Sequence, residues 1–188
     1  ESVRRTEWEF PDGVNEIIFH ALGIRGSQRP DFTGSRHLVI SPFVNADGLA
    51  IVAPSGDPVV ISRPEQLELL PADALAGLDC RWFATPTIDG EGEEQPSPNL
   101  GDLHAKVMVA ERGRRAHVYV GSANATGAAF GGNVEILTDF AFPRSALSID
   151  HVLDNADGVA LRTLLRPVTP PDAPEPLSAD EQLTDALD

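Results

Sequence analysis

Cysteine is almost absent from this chain: Cys80 stands alone among 188 residues. One thiol builds neither a disulfide framework nor a cysteine-based metal cluster, and the neighbours Leu78 and Trp82 suit an ordinary buried thiol. Basic residues are scarce as well. The 14 Lys and Arg face 29 Asp and Glu, a formal net charge of −15. Such a surface repels polyanions at long range and argues against non-specific binding of nucleic acid or anionic membrane, while leaving room for a local cationic site. No apolar run approaches the length of a membrane span and no signal-peptide pattern is seen, so the expected location is cytoplasmic. There is no internal repeat.

What is present suffices for one core. Hydrophobic residues make up 41% of the sequence, enough at this length for a single globular domain. Residues 12–23 carry Val14, Ile17, Ile18 and Leu22 on one helical face, with Asp12 placed to cap and Gly23 to end a helix. Residues 37–44 form a continuous β-branched run, expected as a strand buried on both faces. "LAIVAP" and "PVVISR" are expected as two further short strands with Gly56 and Asp57 turning between them, and 63–71 as a short helix with Pro64 in its first turn. Residues 80–85 are expected as a strand, and 86–102 as an acidic Pro/Gly-rich loop.

Residues 133–142 alternate as a strand with one well-buried face, and 145–155 as a helix. Residues 1–165 are thus expected to form one α/β domain, a mixed β-sheet between helices. Residues 166–188 are expected as a Pro-rich linker and the start of a C-terminal helix, with Ser178 and Glu181 as a capping box. That ending, and a first residue Glu1 rather than Met, point to a fragment of a longer protein.

The informative stretch is residues 103–126, "LHAKVMVAERGRRAHVYVGSANAT". On a strand His104 and Lys106 project from one face, roughly 6–7 Å apart. Arg112, Gly113 and Arg114 supply a turn, and pairing Glu111 with Arg114 across it sets Gly121 opposite His104. Ser122 and Asn124 then arrive beside His104 and Lys106. A neutral imidazole can attack phosphorus and split one displacement into two. Lys106 can offset the charge on the phosphoryl oxygens, and Ser122 and Asn124 can donate hydrogen bonds to them. Glu135 is placed to accept the other His104 N–H and fix its tautomer. This chemistry requires no metal or other cofactor. Taken singly, each residue has an ordinary reading as a strand, turn or cap residue; four of them at one end of one hairpin favour a site. Ser41, ending the first buried strand, is a weaker candidate for supporting it.

His104-x-Lys106, Gly121-Ser122-x-Asn124 and the "GGNVEI" around Glu135 together resemble the phospholipase D superfamily (PLD-like, or HKD, domains), whose signature is H-x-K-x4-D with a downstream G-S-x-N. The resemblance runs from about "HLVISPF" to "FAF". It implies a mixed sheet sandwiched by helices, His104 as nucleophile or general acid, and Lys106 and Asn124 as phosphate binders. One departure stands out: the signature Asp is Glu111 here. Five residues from Lys106, Glu111 falls on the opposite strand face near the turn and reads as a structural position.

In that family the leaving oxygen is protonated by a second histidine from a second motif copy. His20, His37, His117 and His151 lack the motif; His20 and His151 are expected on helices and His117 far up the hairpin. The chain therefore holds half a site. Its complement is expected from a two-fold homodimer partner or from the rest of a longer polypeptide. The resemblance spans lipases, phosphatidyl transferases and nucleases. The absence of an amphipathic apolar patch weakens the lipid case, and two groups of arginines, Arg112, Arg114 and Arg115 at the hairpin tip and Arg25, Arg29 and Arg36 around the first strand, are candidates for a nucleic-acid backbone. The expectation is a nuclease-like phosphodiesterase working through a phosphohistidine. The alternatives are a non-catalytic PLD-like assembly module and a phospholipid hydrolase or transferase.

Overall fold

The computed structural model describes residues 9–88, 94–97, 103–154 and 160–168. An eight-stranded mixed sheet is the frame, in the order β1-β9-β8-β7-β2-β3-β4-β10. The expected buried run becomes β2 (Arg36–Ile40), flanked by β7 (Val107–Arg112) antiparallel and β3 (Val59–Ile61) parallel; β4 (Asp79–Phe83) continues the parallel set. On the other side β7 pairs with β8 (Arg115–Gly121), β8 with β9 (Glu135–Pro143), and β9 with β1 (Glu16–Leu22), all antiparallel. β10 (Leu165–Pro167) pairs antiparallel with β4 and forms the far edge. Arg166 and Pro167, expected in the linker, therefore belong to the sheet, while 169–188 lie outside the described residues. Within 86–102, expected as a loop, the backbone of β5 (Thr85–Ile88) pairs with β6 (Glu94–Ser97) as a separate two-stranded ribbon.

Both faces of the sheet centre are covered. One carries Val39, Val60, Met108, Ala110 and Tyr119 against Leu49 and Val52 of α1 (Ala46–Val52), Leu67 of α2 (Pro64–Glu68) and Ala129 of α4 (Gly127–Gly131). The short α3 (Ala72–Leu75) packs Leu75 at the margin of that cluster. The opposite face carries Leu38, Ile40, Ile61 and Val109 against Ile149 and Leu153 of α5 (Ile149–Leu153) and Leu161 of a 3-10 turn (Leu161–Leu164). The architecture is the expected α/β sandwich. Cys80 is half-buried, and desolvation, with nearby Asp79, pushes its thiol up to about 11. That is the behaviour of an inert structural thiol.

Two elements differ from expectation. Residues 12–23 are a strand, not a helix: all of β1 pairs with β9, Glu16 opposite Ala141 through Leu22 opposite Glu135. A short apolar run satisfies either period, and the free edge of β9 decides. His20 is accordingly a buried strand residue, its Nδ1 bonded to the Gln28 carbonyl at 3.1 Å. "LAIVAP" is not a strand either, because its first four residues end α1. The signal was upstream. Asn45 is the N-cap, its Oδ1 accepting from Gly48 N at 2.9 Å and from Gly127 N at 3.0 Å, so one side chain caps α1 and ties it to α4. β9 turns Leu137, Asp139 and Ala141 inward, while Ile136, and Val134 just before the strand, stay exposed. Asp139 is accommodated by His117, whose Nδ1 lies 3.1 Å from its carboxylate. His117 is thus a buried structural group opposite Ala110.

Candidate active site

The carboxyl ends of β2, β3 and β4, the start of β7, the end of β8 and the start of β9 all lie along one edge of the sheet. In open α/β sheets that edge is where ligands bind. His104, Lys106, Ser122, Asn124 and Glu135 leave their strands there.

The hairpin register differs from the expected one. Arg112 pairs with Arg115 and Val107 with Val120, so position 106, not 104, falls opposite Gly121. Gly113 takes φ +57, which suits the first residue of a two-residue turn between paired strands and slides the pairing by one residue on each side. β7 begins at Val107, so His104 and Lys106 sit on the irregular segment leading into it rather than on the strand. His104 is exposed, and its imidazole has no hydrogen-bond partner among the described residues. Lys106 is half-buried, and its Nζ donates to the carbonyl of His104 at 3.1 Å. That bond folds the lysine back on the histidine backbone and keeps the ammonium within one residue of the imidazole.

Asn124 is held from behind. Ser41, fully buried, donates to the Phe43 carbonyl at 2.7 Å, contacts Asn124 Oδ1 at 3.4 Å and accepts from Ala125 N at 3.0 Å. With Oδ1 facing Ser41, the amide nitrogen of Asn124 is the atom left to donate outward. The supporting position suggested for Ser41 by the sequence is where the side chain lies.

Ser122 and Glu135 are brought together, but not in the expected way. The Ser122 hydroxyl donates to Glu135 Oε2 and accepts from Ile136 N at 3.1 Å, and Glu135 Oε1 accepts from Asn133 Nδ2 at 3.4 Å. Glu135 therefore engages Ser122 and Asn133 rather than His104, and the one hydroxyl proton of Ser122 is committed within the protein. The pair fastens β8 to β9 at the edge of the site. The glycine before it is needed for that closeness: a Cβ on Gly121 would come within 1.9 Å of the Ile136 carbonyl oxygen. Gly121→Ala is expected to cost about 1–3 kcal/mol by forcing the strands apart, read as a fall of roughly 2–10 °C in thermal midpoint. An unchanged midpoint would show that the approach is slack.

Glu111, at the departure from the signature, is wholly buried away from this edge. Its carboxylate meets Arg144 Nη2 at 2.8 Å and Arg36 Nη1 at 3.3 Å, and accepts from Ile149 N at 2.8 Å. It ties β7 to α5. The residue that sequence reasoning missed is Arg63, between β3 and α2. Its Nη2 donates to the Leu103 carbonyl at 3.4 Å, and its guanidinium lies 5.0 Å from the Phe43 ring centroid. An arginine directly before the helix-starting Pro64, at the end of a buried parallel strand, was the available clue. Of the other histidines, His37 bonds to the Ser55 and Phe32 carbonyls and His151 to Ser148; none stands at this edge. Among the described residues no cluster of three metal-ligating side chains occurs, and no helix is long and apolar enough to cross a membrane.

No family model and no curated protein matches the chain. Solved structures that resemble it include yeast tyrosyl-DNA phosphodiesterase, at TM-score 0.45 and 10% identity over 66% of this chain and 31% of that one. In a further crystal structure of that enzyme the match covers 79% of this chain and 41% of the other. NucT from Helicobacter pylori resembles it at TM-score 0.34 and 15% identity, over 56% of this chain and 67% of that one. The chain thus spans about a third of the yeast enzyme's length.

Proposed function

We propose that this chain is the motif-bearing half of a metal-independent phosphodiesterase of the phospholipase D superfamily, a nuclease-like member acting through a phosphohistidine at His104. The observation that carries the proposal is the open imidazole of His104 beside an ammonium, on the same sheet edge as an asparagine braced to donate. A nitrogen of His104 forms a bond to phosphorus while the bond from phosphorus to the leaving oxygen breaks. Lys106 and the Asn124 amide stabilise the non-bridging oxygens as charge builds on them. The leaving oxygen takes a proton from an acid outside the described residues, and water then displaces the histidine from phosphorus with that group acting as base. A second copy of His104 across a two-fold axis supplies such a group; the remainder of a longer chain is the other source. Glu135 and Ser122 act in this scheme by positioning the 122–124 turn.

The test is hydrolysis of bis(p-nitrophenyl) phosphate in excess EDTA by the purified chain, with intact-mass analysis of protein quenched at alkaline pH. Release of p-nitrophenol and a mass gain of one p-nitrophenylphosphoryl group, mapped to His104, are expected. Turnover that appears only on adding a divalent metal would overturn the mechanism. A folded chain that is inactive at every concentration would exclude the homodimer as the source of the second group and leave the remainder of a longer chain or the assembly-module reading.

A further inference from the structure

A cavity of about 370 Å³ opens at the end of β1, walled by Ile24, Arg25, Arg29, Phe32, Ile51 and Phe130. It adjoins the candidate site without being part of it. Leu22, also on its wall, is the register partner of Glu135, and Gly23 presses so close to Asn133 that a Cβ would lie 2.2 Å from the Asn133 carbonyl oxygen. The Asn133 amide in turn donates to Glu135. From the start of β7 across β8 and β9 to the end of β1 there are three strand spacings, about 14 Å at 4.7–4.9 Å each.

Two arginines line this cavity, Arg25 and Arg29, and both are exposed. Arg36, Arg81, Arg112, Arg144 and Arg162 each hold a carboxylate. Arg25 and Arg29 hold none, and neither makes a hydrogen bond among the described residues. With 29 acidic residues in the chain, two guanidiniums lining one cavity with no carboxylate partner among the described residues leave a local positive charge. The same cavity has apolar lining. Phe130 meets Phe32 edge-on with ring centroids 5.6 Å apart, and Ile24 and Ile51 are both exposed. A site pairing fixed cations with an open aromatic and aliphatic wall suits a ligand that carries phosphate on one side and a flat apolar ring on the other.

We propose that this cavity is a subsite for single-stranded nucleic acid, holding a nucleotide a few positions along the strand from the phosphodiester at His104. Arg25 and Arg29 grip the backbone phosphate, and the base lies against Phe130 and Ile51. The inference rests on the phosphodiesterase reading for its substrate and deepens it by selecting a single strand over a lipid. A phospholipid offers the arginines a phosphate but sets flexible acyl chains, rather than a flat ring, against Phe130 and Ile51.

The test is fluorescence anisotropy of a fluorescein-labelled oligothymidylate, read on the His104→Ala protein so that no cleavage intervenes, over a series of salt concentrations. The double variant Arg25→Gln, Arg29→Gln is expected to bind at least tenfold more weakly at low salt. Its plot of log affinity against log salt should flatten by about 1.4, two phosphate contacts at ~0.7 each for single strands. Phe130→Ala should weaken the oligonucleotide about tenfold while leaving inorganic polyphosphate unaffected. Arg114→Gln, at the hairpin tip, removes one charge without touching the cavity and should leave the slope unchanged. A double variant that binds like its parent, or an Arg114 variant with the same slope change per charge removed, would overturn the subsite. Failure of the native chain to hydrolyse any phosphodiester would instead count against catalysis by this chain alone and leave this binding measurement standing.

Discussion

Glu111→Ala is expected to lower the stability of the fold by about 3–4 kcal/mol, the range for removing one partner of a buried charged network. The carboxylate is 0% exposed, whereas the Arg36 and Arg144 side chains are 43% and 37% exposed. Both guanidiniums can turn to water when the acid is gone, which holds the loss below the upper end of that range. The Ile149 N–H cannot turn. It opens α5, and Glu111 Oε1 is its partner at 2.8 Å. Arg36 also holds Asp150 at 2.7 Å, and its hydrogen bonds keep that carboxyl below the ordinary range, so Glu111→Ala leaves α5 tethered to β2 and removes its tie to β7. Urea and thermal denaturation should show a midpoint lower by roughly 10 °C for a domain of this size. Glu111→Gln keeps an acceptor for Ile149 N–H and should lose about half as much. A variant with a midpoint within about 2 °C of the native value would refute the anchoring role.

The second large effect is on rate. His104→Ala is expected to reduce hydrolysis of bis(p-nitrophenyl) phosphate by about 10⁴-fold or more, some 5.5 kcal/mol of barrier at 1.36 kcal/mol per factor of ten. Removing a nucleophile removes the pathway, so the residual rate reports only phosphate binding by the remaining groups. Stability should move by no more than about 0.5 kcal/mol, because the imidazole is exposed and makes no contact that folding needs. The two substitutions are thus expected to separate: one lowers the midpoint by roughly 10 °C, the other leaves the midpoint in place and removes the rate. A His104→Ala protein that retained activity within tenfold would place the chemistry elsewhere on the sheet.

Much of the frame was legible in the sequence. β2, β3, β4 and β9 announced themselves by apolar or alternating runs, and the β7–β8 hairpin by its Gly113 turn. The candidate residues stood out as a set, since His104, Lys106, Ser122 and Asn124 flank a hairpin whose ends must meet. Glu111 was expected from strand parity at a structural position, and its carboxylate lies wholly buried against Arg144 and Arg36.

Tertiary structure decided the rest. Residues 16–22 satisfy helical and extended periods alike, and only the open edge of β9 makes them a strand. α1 carries the apolar residues of a strand, but a single Asn45 side chain caps it and binds it to α4. The partners of Glu135 and Ser122 depended on where the β8–β9 register ended, a contact between residues 13 apart that no local rule specifies. Arg25 and Arg29 come to line one cavity only because the end of β1 lies beside α4. Local patterns determine which residues are buried and which can turn. Which polar groups meet is set by register and by strand order, and both are properties of the assembled sheet.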